Sequence, residues 1–353
     1  MGQALEHLYI HVPFCSGRCN YCAFVSGMPP KEPARYVEAL VAEARQRALT
    51  LAPLQTLYMG GGTPGLLGEA GFRRLAAAGL FRLQPGGEWS VELHPKTVSE
   101  ALVETLAELG VTRLSIGVQS FDDEVLKRCN RRHSAREALA AIACARRVIP
   151  DTGIDLIAGL PGVDAALWRE TLRQALTLAL PHLSIYALSI EAGSRWEGLS
   201  PPEPEALCNA VAEAAEALAA AGYLRYETSN YARPGFCCRH NLNTWHGGDY
   251  VGLGRGACSR LGRLRRDGQG REELLSARED ALERALTQLR LAEGFRPQAL
   301  AARFPALGDV VAAWERQVAQ FRAWGLLNEA FAPTLRGYEV LDAMERELLA
   351  AAL

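Results

Sequence analysis

Between residues 8 and 190, six short apolar or β-branched runs alternate with longer segments of helical spacing, and nothing else in the sequence restricts its fold so much. The runs are LYIHVPF (8–14), QTLYMGG (55–61), WSVELHP (89–95), RLSIGVQ (113–119), GIDLIAGLP (153–161) and LSIYALSI (183–190). Between them lie segments such as PARYVEALVAEARQRAL (33–49), EALVETLAELG (100–110) and SAREALAAIACARRVIP (134–150). Ser99 with Glu100, and Asp164, stand as helix-start signals. Repeated β-then-α units need crossover connections, which pair successive strands in parallel. The nearly continuous apolar character of the runs predicts strands buried on both faces. The expected architecture is therefore α/β: a partial (β/α)6 barrel of the TIM type, favoured over an open doubly wound sheet.

The polar residues that interrupt this pattern share one location. Cys15, GGGTP (60–64), Glu92, Gln119 and Asp155 all fall at or just after the C-terminal part of a predicted strand. Barrel enzymes assemble their sites on that rim. Glu92, Gln119 and Asp155 would be costly to bury without partners. They either hold a ligand or form rim salt bridges with Arg131 or Arg113.

The first rim loop is HVPFCSGRCNYCAF (11–24), whose Cys15, Cys19 and Cys22 have the spacing C-x3-C-x2-C. Structural zinc sites use four ligands, with cysteines usually paired two by two. A [4Fe-4S] cube needs one external ligand per iron, so three thiolates leave one iron open. The amine and carboxylate of S-adenosylmethionine can chelate that iron, and one electron then cleaves its sulfonium. A zinc site completed by His11, or plain buried thiols, are the competing readings. The glycines after the second strand allow close backbone approach to a ligand's amine.

Charge and composition exclude other classes. With 38 basic against 40 acidic residues, no strong field recruits nucleic acid or an anionic membrane. No apolar run is long enough for a transmembrane segment. The opening MGQALEHLYIHV lacks a basic-then-apolar leader, and nine cysteines is an odd count. A reducing, cytoplasmic location is expected, with Cys129, Cys144 and Cys208 as buried thiols. Trp168, Trp196 and Trp314 are read as packing residues.

After SPPEPEAL (200–207) the pattern changes. A helix (203–221) precedes a stretch rich in Gly, Asn and aromatics. The last 75 or so residues read as mostly helical and winged-helix-like, with a helix, a short strand pair and a final helix.

Taken in order, these motifs resemble the radical S-adenosylmethionine (SAM) proteins of the oxygen-independent coproporphyrinogen oxidase-like family. The similarity runs through YIHVPFCxxxCxxCxF, GGGTP, VE (91–92), GVQSF (117–121), RRH (131–133), DLIAGLP (155–161), SIYALSIEAGS, YETSNYARPG and CRHNLNTW (238–245). Coproporphyrinogen dehydrogenases of the family carry a further cysteine where this chain has Phe24. The HemW-type heme chaperone branch lacks it and carries HNxxYW. The resemblance thus implies a chaperone that binds heme and passes it to acceptor proteins, membrane-bound respiratory enzymes among them; the alternative is an oxygen-independent coproporphyrinogen III dehydrogenase or related porphyrin oxidoreductase.

The resemblance also implies residue roles. Cys15, Cys19 and Cys22 would ligate the [4Fe-4S] cluster. Tyr9, Tyr21, Gly61, Gly62, Thr63, Glu92, Gln119, Arg131, Asp155 and Ala187 would contact SAM. His240 leads as the heme residue, supported by Asn241 and Trp245. The chain departs from the pattern at Thr244, where the family has Tyr, and at Cys258, where His is common. His246, Cys238 and Cys258 therefore remain alternative heme ligands. The expected division is a barrel over residues 1–235 and a C-terminal domain over 236–353.

Overall fold

A computed structural model describes residues 5–29, 32–47, 49 and 51–352. Met1–Ala4 of the opening segment and Ala48 of the first expected helix lie outside them. The strand–helix alternation gives β1 (Leu5–Val12), α1 (Pro33–Gln46), β2 (Leu51–Gly61), α2 (Gly68–Ala77), β3 (Leu83–Leu93), α3 (Glu100–Glu108) and β4 (Arg113–Gln119). It continues through α4 (Asp123–Arg128), α5 (Ala135–Val148), β5 (Thr152–Ala158), α6 (Ala165–Thr177) and β6 (His182–Ala187). The helices begin where the sequence supplies an oxygen for an orphan N–H. Ser99, Asp122, Ser134 and Asp164 each cap one, and Ser134 with Glu137 forms a reciprocal capping box.

Strands β1 to β6 are parallel neighbours in sequence order, as crossover helices require. Next come α7 (Pro204–Ala220), β7 (Leu224–Arg225), β8 (Asn230–Ala232), α8 (Arg239–Trp245) and β9 (Val251–Leu253). β8 and β7 extend the β6 edge in antiparallel fashion, and β9 extends the β1 edge in parallel. The result is a nine-stranded, partly wound barrel whose two edge strands, β7 and β9, do not pair with each other.

The strands are largely buried on both faces, as expected, but only one face is apolar. Leu8, Ile10 and Val12, Leu57 and Met59, Val91 and Leu93, and Leu114, Ile116 and Val118 are fully or almost fully buried in the main core. At full burial each contributes about 1.5–3 kcal/mol. The alternate positions are polar: His7, Tyr9 and His11 on β1, Thr56 and Tyr58 on β2, Glu88, Ser90 and Glu92 on β3. Register aligns them in rows, with His7 beside Thr56 and Thr56 beside Glu88. A partial barrel leaves its concave face without a covering helix layer, so that face can carry polar groups that bond one another.

A small sheet of β10 (Ser259–Leu261), β11 (Leu264–Arg266) and β12 (Glu272–Leu274) follows β9. The remainder is α9 (Ala277–Leu286), α10 (Pro297–Arg303), α11 (Val311–Ala323), α12 (Leu335–Glu339) and α13 (Leu341–Ala352). These helices enclose a separate core around Phe295, Trp314, Phe321 and Leu348. The expected strand pair is a single bridge, Leu327 to Pro333. Residues between 236 and 275 are not part of that second core: α8 lies over β2 and β9 joins the barrel sheet. Arg225 lies 3.6 Å from the Tyr338 ring and Arg290 lies 5.3 Å from the Trp245 ring, tying the helical region to the barrel.

Candidate functional site

The cysteine loop is clamped at its base and along its length. Cys15 N–H donates to Gly27 O at 2.9 Å and Gly27 N–H to Pro13 O at 2.8 Å, which closes the loop on itself. Asn20 N–H donates to Cys129 O at 3.0 Å, and Asn130 Nδ2 to Arg18 O at 2.7 Å. Arg18 reaches Gly193 O at 2.6 Å. His11 Nε2 sits 3.0 Å from Val25 O. Because a carbonyl only accepts, His11 donates there, leaving its Nδ1 to accept from Tyr9 Oη at 3.1 Å.

Behind the loop is a cavity of about 300 Å³. Cys15, Cys19 and Cys22 line it from one side; Gly61 from the end of β2, with Gly62 and Thr63 just beyond it; Glu92 and Gln119 from the ends of β3 and β4, and Asp155 from the middle of β5. Tyr21, Phe24, Arg131 and Tyr186 complete the wall that matters here. Burial pushes the Cys15 and Cys22 thiols up. Arg131 Nη1 lies 3.5 Å from Cys19 Sγ and its Nη2 donates to Gly117 O.

Glu92 accepts from Tyr58 Oη at 2.7 Å and from Gly61 N–H at 3.2 Å. Burial, and then the nearby Asp155, raise its pKa to about 7, against those two hydrogen bonds. Burial also raises Asp155, which accepts from Ser115 Oγ at 2.9 Å. The salt-bridge alternative fails: neither carboxylate has an ion-pair partner among the described residues, and Arg113 pairs with Asp151 at 2.9 Å.

The cavity walls fit a [4Fe-4S] cluster with SAM. Gln119 Oε1 and Arg131 Nε are buried without a hydrogen-bond partner among the described residues, and such atoms call for a ligand. Gln119 is held in the left-handed region at φ 69°, a strain typical of functional sites. A side chain on Gly62 would meet Phe14 O at 2.5 Å and Val12 O at 2.8 Å, so the strip just after β2 stays bare. Among the described residues no three His, Cys, Asp or Glu side chains converge to hold a single metal ion. A cube instead takes one thiolate on each of three irons.

The other expected residues distribute more unevenly. Tyr9 lines a second cavity of about 400 Å³, with Tyr58, Tyr250, His240, Asn241, Thr244 and Cys258. This cavity shares Phe24, Gly61, Glu92 and Tyr186 with the first. Ala187 ends β6 exposed and lines neither cavity. Trp245 packs under Arg290, and His246 pairs with Glu293 at 3.4 Å, so both stand away from the second cavity. Cys238 is buried with its thiol donating to Glu88 at 3.5 Å. Of the four alternative heme ligands, the second cavity thus receives His240 and Cys258. The expected buried thiols also divide: Cys129 is buried, while Cys144 and Cys208 are half-exposed.

His240 is 5% exposed. Its Nδ1 lies 2.8 Å from Thr56 Oγ1, and burial, then His7, lower its pKa to about 3, so the ring is neutral. The ring stands 5.3 Å from Tyr58, 6.3 Å from Tyr250 and 6.4 Å from Tyr9, centre to centre. Glu88 of β3 sets the start of α8, accepting the N–H of Arg239 at 2.9 Å and of His240 at 3.3 Å. No side chain of the flanking residue caps this helix; the carboxylate from across the barrel does so instead. Thr56, His7 and Glu88 went unnoticed in the sequence. The visible signal was parity: Glu88, Ser90 and Glu92 alternate along one strand, as do His7, Tyr9 and His11.

Three thiols on the loop after the first strand of a partial parallel barrel, facing a bare glycine strip and buried carboxylates, define a radical SAM protein. The family model described as the radical SAM superfamily matches residues 9–175. A heme chaperone HemW from Synechocystis is 39% identical over 71% of this chain and 65% of its own length. A heme chaperone HemW from Escherichia coli is 39% identical over 71% of this chain and 68% of its own. The match thus spans about two thirds of each relative. The solved structure of coproporphyrinogen III oxidase (HemN) from Escherichia coli superposes with a TM-score of 0.82 at 22% identity, covering 98% of this chain and 90% of that one. This chain belongs to the radical SAM superfamily and is closely related to HemW; with HemN it shares the fold. Among the described residues no helix is long and apolar enough to cross a membrane.

Proposed function

We propose that this protein is a heme chaperone: it binds heme in the cavity beside His240 and hands it to acceptor proteins in the cytoplasm or at the membrane. The observation that carries this reading is the state of His240. It is a buried, neutral imidazole tied down at Nδ1, on the wall of a cavity lined by four tyrosines. A neutral imidazole is an ordinary axial ligand for heme iron, and aromatic walls suit a planar macrocycle. Phe24 in place of a fourth cysteine, and the names of the relatives, support the same choice over coproporphyrinogen oxidation.

Cys15, Cys19 and Cys22 would hold the cluster, and Gly61, Gly62, Thr63, Glu92, Gln119, Arg131 and Asp155 would hold SAM. When bound, that pair supplies one-electron chemistry at a sulfonium. The chain's own part is to orient and to shield. Glu92 and Asp155 offer acceptors to hydroxyl or ammonium groups, and the clamped loop covers the cavity against water. In this reading residues 1–235 carry the cluster and SAM, and residues 236–353 bring His240 to their edge.

Heme titration of the purified protein tests the reading. A saturable Soret shift at micromolar heme is expected, lost in His240→Ala and kept in Cys258→Ala. Absence of any saturable shift overturns it, and anaerobic SAM-dependent decarboxylation of coproporphyrinogen III would install the oxidase reading in its place.

A further inference from the structure

Thr56 Oγ1 lies 2.8 Å from Nδ1 of His240 and 2.9 Å from Nδ1 of His7. A hydroxyl has one hydrogen, so it can donate to only one of these nitrogens and must accept from the other. An imidazole that ligates iron does so as the neutral ring, and burial lowers the His7 pKa as well. Two neutral rings facing one hydroxyl must carry opposite tautomers. If His240 donates from Nδ1, Thr56 donates to His7, and Nε2 of His240 is left with a lone pair. In the opposite arrangement His240 carries its hydrogen on Nε2, where no acceptor is found among the described residues, and the ring keeps no lone pair for a metal on its cavity side. On the other side, Glu6, Asp249 and Glu88 surround His7 with negative charge, outnumbering Arg239, which favours an outward N–H on that ring.

We propose that Thr56 is a positioning residue for heme binding, holding His240 in the tautomer whose Nε2 lone pair faces the cavity. The inference rests on His240 as heme ligand and deepens that reading. Thr56 is almost fully buried on β2, 184 positions from His240 in sequence, and among the described residues its hydroxyl bonds only these two rings. A metal-bound imidazole is ordinarily fixed by the bond at its second nitrogen, and losing that partner costs about 10–100-fold in affinity.

The test is heme titration of the full chain with Thr56→Val, Thr56→Ser, His7→Phe and His240→Ala, with the iron–histidine stretch of the ferrous adduct measured by resonance Raman. Thr56→Val keeps the β-branched shape and removes the hydroxyl. It is expected to weaken heme binding by about 10–100-fold and to lower the stretching frequency, because the imidazole no longer donates from Nδ1. Thr56→Ser restores both. His7→Phe moves both in the direction of the valine variant, because the Thr56 hydrogen then turns to His240. If His240→Ala abolishes binding but Thr56→Val matches the parent in affinity and frequency, the role of Thr56 is overturned while the ligand stands. If His240→Ala binds like the parent, the ligand assignment falls and this inference with it. Should Thr56→Val lose its far-ultraviolet dichroism, His7→Phe decides, and parental values there overturn the proposal.

Discussion

Glu92 links acidity to cofactor binding in a way that can be measured. Its carboxyl is raised from an ordinary 4.5 to about 7, by burial first and Asp155 second. SAM brings a sulfonium, an ammonium and ribose hydroxyls, all of which favour an ionised carboxylate over a protonated one. With a midpoint near 7, the ionised fraction climbs from roughly a tenth at about pH 6 to roughly nine tenths at about pH 8. SAM affinity is therefore expected to rise about tenfold across that interval. Stability of the ligand-free protein moves the other way. The folded state keeps a proton that the unfolded chain releases above 4.5, so Glu92 costs stability increasingly as pH rises from 4.5 to about 7 and no further above it. That cost is on the order of 3 kcal/mol at most. Anaerobic calorimetry of the cluster-reconstituted protein gives the binding profile. Glu92→Gln should bind SAM at about pH 8 as weakly as the parent does at about pH 6, with the slope removed. A flat parental profile, or a glutamine variant that keeps the slope, would refute the argument.

Three further outcomes are expected. Glu88→Ala strips the acceptor from the first N–H groups of α8; about 2–4 kcal/mol should disappear from the barrel's urea transition, with faster amide exchange at Arg239 and His240. Gly62→Ala drives a methyl into the backbone of Val12 and Phe14, so about 1–3 kcal/mol of strain should loosen the loop and reduce iron retained after anaerobic reconstitution. Cys19→Ser should remove the sulfide and the brown absorbance of the reconstituted protein while far-ultraviolet dichroism stays parental, because the loop's clamps use backbone and Arg18, Asn20 and Asn130 rather than that thiol.

What could be read from the sequence is what is local. The Cys15–Cys22 loop is one string, and each β-run or helix announces its own period, so six strands and the main helices stand where the pattern puts them. What escaped depends on register and distance. Thr56 meets His240 across 184 positions and Glu88 meets it across 152, contacts fixed by which strand lies beside which. The polar concave face was misread because valine and leucine at alternate positions make a strand look apolar throughout. The choice among His240, His246, Cys238 and Cys258 was equally invisible. All four lie near one another in sequence; the turn of α8 separates His240 from Cys238 and His246, and the segment between β9 and β10 brings Cys258 to the second cavity.

Gly61, Glu92, Tyr186 and Phe24 belong to the walls of both cavities, and Phe24 is 63% exposed at their common mouth. Two ligands that share a wall share a free energy. Whatever factor SAM imposes on the affinity for a ligand beside His240, that ligand must impose on SAM, because the thermodynamic cycle closes. Given heme beside His240 as proposed, and any such factor different from one, the level of SAM sets how tightly heme is held without SAM being consumed.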